Sequence, residues 1–214
     1  MTIHARALAQ LGSRVQREVM ARQRRIEIVD FTYHVWTHGI DELPIFKTTV
    51  EKDRMLTYLR EEVEFSNWTC LSYVVMTTHY HLVLRLNEET LSSGLKRLNG
   101  RFAQWFNRER GRRGHVFESR FGCRIVESAH DQLDVCRYVA LNPTRAQMCR
   151  LPEHYAWSGY GAIIGHALPD DIVDIKAARA LAGSRVAFKK FVEEPDPRVR
   201  RGQARARPRV TSQR

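Results

Sequence analysis

Cysteine is scarce in this chain. Cys70, Cys123, Cys136 and Cys149 are scattered, with no CxxC pair among them. That spacing argues against a zinc ribbon and a disulfide framework, and the expected setting for reduced thiols of this kind is the cytoplasm. No apolar run approaches the ~20 residues needed to cross a bilayer. The first twelve residues are interrupted by His4, Arg6 and Gln10, unlike a signal peptide. Acid is in short supply as well: 24 Asp and Glu face 35 Lys and Arg, leaving a formal net charge of +11. Such a surplus suits a polyanionic partner. What is present in quantity is apolar residue, 43% of 214 positions, enough for a sizeable core and too much for a wholly disordered chain or a stapled mini-protein.

The positive charge is concentrated at the ends. From Arg198 onward there are seven arginines and no acid, so residues 198–214 read as a disordered basic tail. Arg14, Arg17, Arg22 and Arg24 make residues 1–24 a basic N-terminal extension. Between them the pattern gives a folded domain over residues 25–168 and a helical extension over residues 169–197.

Within the domain, Ile26, Ile28 and Phe31 begin a strand-like alternation near residues 25–37, and Val50, Met55, Tyr58, Leu59 and Val63 recur at helical spacing over 49–65. Two short aromatic and β-branched runs, 68–76 and 80–86, flank Thr77-Thr78 in the pattern of a hairpin. Leu91, Leu95, Leu98, Phe102 and Trp105 mark a second helix, 117–126 a further strand, and 131–142 a helix that Pro143 is expected to stop. The order β-α-β-β-α-β-α predicts an α+β, ferredoxin-like sandwich, a mainly antiparallel sheet with helices on one face, plus basic terminal extensions.

The sharpest chemical feature is His79-Tyr80-His81. Residues i and i+2 of a strand share a face at about 6.6 Å along the chain, so both imidazoles can reach one cation through bonds of roughly 2.1 Å. Alone, an HxH is short enough to arise by chance. Tyr138 and Asn142 lie four apart on an expected helix and so share a face, although taken alone a core aromatic and a polar helix end account for them more simply. Arg97, Arg101 and Arg108, followed by Arg112 and Arg113, form a basic row suited either to a DNA backbone or to a solvated helix face. Trp157 and Tyr160 read as packing residues, and His34 as a structural histidine of the first strand.

Five ordered blocks carry a resemblance: Tyr33-His34-Val35, Met76 to Leu82 (MTTHYHL), Gly114 to Phe121 (GHVFESRF), Arg137 to Pro143 (RYVALNP) and Trp157-Ser158-Gly159-Tyr160. In this order they resemble the single-tyrosine HUH transposases, the IS200-like group, and most closely the REP-associated tyrosine transposases. The likeness spans about residues 30–165. It implies a ferredoxin-like nuclease in which His79 and His81 hold a divalent cation, Tyr138 is the nucleophile and Asn142 completes the metal site. Two His and an amide oxygen leave positions open, which suits Mg2+ or Mn2+ better than a closed zinc site. The implied substrate is single-stranded or hairpin DNA, joined at its 5′ phosphate to the tyrosine, and the implied state is a monomer or homodimer with no membrane partner. Tyr80 stands where a small aliphatic is common, and Thr77-Thr78 where Pro-Asn is frequent. Two other readings stay open: a nucleic-acid-binding module of the same fold that no longer cuts, and a metal-dependent hydrolase of small phosphate esters.

Overall fold

The computed structural model describes residues 27–194. The N-terminal extension and the arginine-rich tail both lie outside these residues. Four strands, β1 (Thr32–His38), β2 (Trp68–Val75), β3 (His79–Leu86) and β4 (Gly122–Val126), pair antiparallel throughout in the order β2-β3-β1-β4. With α1 (Thr49–Phe65) between β1 and β2 and α2 (Leu91–Glu109) between β3 and β4, this is the ferredoxin-like α+β topology.

The elements form where local chemistry favours them. Thr48 caps α1 in a reciprocal box: its hydroxyl accepts from Glu51 N at 3.3 Å, and Glu51 Oε2 accepts from Thr48 N at 2.7 Å. Leu91, Leu95, Leu98, Phe102 and Trp105 are all buried, so α2 turns its apolar stripe onto the sheet. Tyr80, the bulky residue between the two histidines, is fully buried on that same side, with its hydroxyl donating to Asn99 Oδ1 of α2 at 2.8 Å.

Strand residues alternate between faces, so Tyr80 and its neighbours His79 and His81 point oppositely. The two helices of the ferredoxin-like unit, α1 and α2, occupy the Tyr80 face. A third, α3 (Ala129–Arg145), lies across the other, where Tyr138 meets His81. The structure thereby adds a helix on the face that the sequence pattern leaves bare.

Three boundaries differ from the sequence reading. Asp30 sits in the left-handed region at φ 67° and delays β1 to Thr32. The stretch 117–121 is mostly bend, with a single bridge from Phe117 to Gly39, so β4 begins only at Gly122. Pro143 does not stop α3: the helix runs on to Arg145, with Ala146 N bonded to Asn142 O and Met148 N to Pro143 O. The proline removes one donor, and the final turn closes around it.

Downstream come α4 (Tyr160–Ile163), α5 (Ile175–Ala180) and α6 (Arg185–Glu193), and the segments that lead into α4 and α5 line the edge of β2. Val75 N donates to Trp157 O and Asp174 N to Cys70 O, pairing backbone groups that an edge strand leaves open. The Arg137 guanidinium donates to Glu194 O, fastening α3 to the end of α6 beside the nucleophile candidate.

Candidate active site

Strand register assembles the site. His38 lies opposite His79 and Trp36 opposite His81 in the β1–β3 ladder, while β4 sets Arg124 opposite His34 and Gly122 opposite Trp36. All these residues share the α3 face. Tyr138 comes down from α3, its ring centroid 5.5 Å from that of His81 and 5.8 Å from that of His34. The result is an open cavity of about 390 Å³ floored by the histidines and flanked by Trp36, Arg124 and Tyr138.

The ring nitrogens are not equivalent. His79 Nδ1 is 3.0 Å from Thr78 Oγ1, and His81 Nδ1 is 3.1 Å from His34 Nε2. Both site histidines therefore have Nδ1 engaged, which leaves Nε2 of each for the cavity. Their rings stand edge to face with centroids 5.1 Å apart. Thr78, one of the two residues that replace the frequent Pro-Asn, thus acquires a positioning contact.

Burial holds these imidazoles neutral. It pulls His81 down to about 3, aided by His34, His79 and His38, and pulls His79 down to about 4, aided by His38. His34 falls to about 4 through burial and then the charge of Arg124, and its Nδ1 is buried without a hydrogen-bond partner. A neutral imidazole with a free Nε2 lone pair is the form that binds a cation. Among the described residues, no three His, Cys, Asp or Glu side chains form a closed metal-ligand group. The pair His79 and His81 fits an open ion rather than a structural one.

The structure brings His79, His81 and Tyr138 together, and it places Asn142 differently. Its side-chain amide donates to Tyr138 O at 3.0 Å, along its own helix, and it is not among the residues lining the cavity. The basic row also finds partners. Arg97 bonds Glu62 Oε1 at 2.7 Å and Ser66 Oγ at 2.8 Å, Arg101 pairs with Glu61 and lies over Tyr58, and Arg108 approaches Glu109 at 3.9 Å. Arg112 donates to His115 O at 3.3 Å, and Arg113 is exposed. Tyr160 is buried, and Trp157 donates to Asp53 and sits under Lys52, so both serve packing.

Sequence reasoning passed over Trp36, His38 and Arg124 and set His34 aside. A signal was present in the period of two along the first strand: His34, Trp36 and His38 must share one face of any strand that contains them. Which face, and beside which strand, was not readable.

A ferredoxin-like sheet with paired imidazoles on one face and a helix-borne phenol above them defines an α+β protein built around a histidine and tyrosine site. The IS200-like transposase family model matches residues 27–142, more than half of the chain, and the chain belongs to that family. Among solved structures, a REP-associated tyrosine transposase bound to a REP hairpin is 17% identical, with 72% of this chain and 94% of that chain covered and a TM-score of 0.57, which shows a shared fold. A transposase-like protein from Deinococcus radiodurans R1 is 16% identical over 59% of this chain and 92% of that one, with a TM-score of 0.39. A tRNA(His) guanylyltransferase from Saccharomyces cerevisiae is 8% identical over 83% and 86%, with a TM-score of 0.46. No curated protein matches this chain significantly in sequence.

Proposed function

We propose that this transposase cleaves and rejoins single-stranded DNA at hairpin sequences through a covalent bond between Tyr138 and a 5′ phosphate. The observation that carries the reading is the meeting of Tyr138, His79 and His81 in one open cavity. The hairpin bound in the solved REP-associated transposase supports the choice of DNA.

Tyr138 is 39% exposed, so a strand can reach its hydroxyl. The phenol gives up its proton to solvent as its oxygen attacks phosphorus, the 3′ oxygen of the preceding nucleotide leaves and takes up a proton in exchange, and the phosphate stays on the 5′ side as an ester of Tyr138. One phosphodiester replaces another, so a second 3′ hydroxyl can reverse the step and join strands without ATP. His79 and His81 would hold a divalent cation, Mg2+ or Mn2+, through Nε2. When bound it supplies charge stabilisation at the phosphate oxygens. For His81 to present a lone pair there, its Nδ1 must carry the proton and donate to His34 Nε2, so His34 fixes the useful tautomer. The Arg145 guanidinium lies over the Tyr138 ring, 5.5 Å from its centroid, and helps hold the ring in place. Of the basic row, Arg112 and Arg113 have no carboxylate partner among the described residues and Arg108 reaches only the exposed Glu109 at 3.9 Å; these three are the ones we assign to DNA contact, whereas Arg97 and Arg101 are engaged by α1.

The test is incubation of the protein with a labelled hairpin oligonucleotide and Mg2+. A denaturation-resistant adduct is expected, absent in Tyr138→Phe. An adduct that persists in that variant rejects Tyr138, and unchanged cleavage in His79→Ala or His81→Ala rejects the metal role.

A further inference from the structure

The arginines of α2 and the arginine of β4 differ in one respect. Arg97, Arg101 and Arg108 of α2, and Arg110 just beyond its end, each meet a glutamate. Arg124 is exposed, borders the cavity, and has no acidic partner among the described residues. The remaining wall consists of imidazoles, an indole and a phenol, with no carboxylate. An uncompensated guanidinium in a cavity lacking negative charge is a place for an anion, and its planar fork matches a phosphate.

Trp36 stands next to it. A Cβ at Gly122, directly across the ladder, would fall 2.4 Å from Trp36 Cε2, so only the bare glycine lets the indole lie over β4. Gly122 and Arg124 share a face two residues apart, about 6.6 Å along the strand. The indole is half-buried, leaving part of its surface to the cavity. A stacking surface beside a phosphate-binding fork, at the rim of a cavity that Tyr138 also borders, matches the two ends of one nucleotide.

We infer that Trp36, Gly122 and Arg124 form a subsite for one unpaired DNA nucleotide adjacent to the scissile phosphate, with its base stacked on Trp36 and its phosphate held by Arg124. The inference rests on the proposed single-strand transposase function and names the contact by which that site takes its substrate.

The experiment uses the full chain carrying Tyr138→Phe, so that binding is read without cleavage. A short fluorescein-labelled single strand of mixed sequence is titrated over a range of salt, and an abasic strand of equal length is run beside it. Arg124→Gln should lower the slope of log affinity against log salt by about 0.7, the loss of one single-strand phosphate contact. Trp36→Leu should weaken the mixed-sequence strand roughly five- to hundredfold, leave the salt slope unchanged, and leave the abasic strand unaffected. Trp36→Phe, which retains a stacking ring, should recover part of the loss. Gly122→Ala, which drives the indole from its place, should mimic Trp36→Leu. An unchanged slope in Arg124→Gln overturns the phosphate assignment, and equal losses on both strands overturn the stacking assignment. If adduct formation by the Tyr138 protein survives these failures, the transposase reading stands and only the subsite falls. If the protein neither binds single strands nor forms an adduct, both fall.

Discussion

His34 Nε2 lies 3.1 Å from His81 Nδ1, a buried contact between neighbouring strands that joins residues 47 apart in the chain. It gives His81 a reason to expose one nitrogen and not the other. In metal-free protein, nitrogen chemical shifts should show His81 protonated on Nδ1. His34→Gln, which keeps an acceptor near the Nε2 position, should retain most Mn2+ affinity, while His34→Leu should lose about ten- to hundredfold. Calorimetric titration with Mn2+ measures both, and equal affinity in the two variants removes His34 from the positioning role.

Tyr138 adds little to packing, because it is exposed on a helix whose buried side is formed by Val135, Cys136, Val139 and Ala140. Tyr138→Phe should therefore end adduct formation while changing unfolding free energy by no more than about 0.5 kcal/mol. Urea denaturation alongside the gel assay separates loss of fold from loss of the nucleophile.

Acid should weaken the metal-free fold through the histidines. His34, His79 and His81 have folded values lowered to about 4, 4 and 3 by burial first, whereas the unfolded chain titrates near the ordinary 6.5. Above pH 6.5 both states are neutral and the stability is complete. As pH falls below that, the unfolded chain takes up protons the fold resists, so stability is lost down to about pH 3, where His81 is the last of the three to protonate in the fold. Melting temperature in chelating buffer should drop across this window, and less so in His34→Leu. Identical pH profiles for the two proteins would count against the argument.

Arg97 is a stability residue in this structure. Glu62 is only 3% exposed and receives the guanidinium together with Ser66 Oγ, so Arg97→Ala strands a buried carboxylate. The expected cost is about 1–3 kcal/mol, against no more than about 0.5 kcal/mol for exposed Arg108→Ala. The salt dependence of DNA binding should change little in Arg97→Ala. A shallower slope with unaltered stability would restore Arg97 to the DNA-contact row.

Much of the fold was legible because its signals are local. The helical spacing of Val50, Met55, Leu59 and Val63 in α1, the apolar stripe of α2 and the alternation along β3 each depend on neighbours within a few residues. The start of β4 was not legible, since Phe117 to Phe121 have strand composition yet bend, and neither was the run of α3 through Pro143. The arginine row was readable as a stripe, but its neutralisation was not: Glu61 and Glu62 lie 40 and 35 residues away, on a helix that meets α2 only after folding.

The chain by itself determined that His79 and His81 share a face, that Tyr80 faces away from them, and that Tyr138 rides a helix, because the strand period of two and the helix period of 3.6 are properties of the backbone. Tertiary structure decided which face of the sheet received α3, that β1 would bring His34 and Trp36 beside β3, and that β4 would add Arg124 with no acidic partner among the described residues. Those outcomes depend on strand order and helix placement, which are set by how whole elements bury their apolar surfaces against one another.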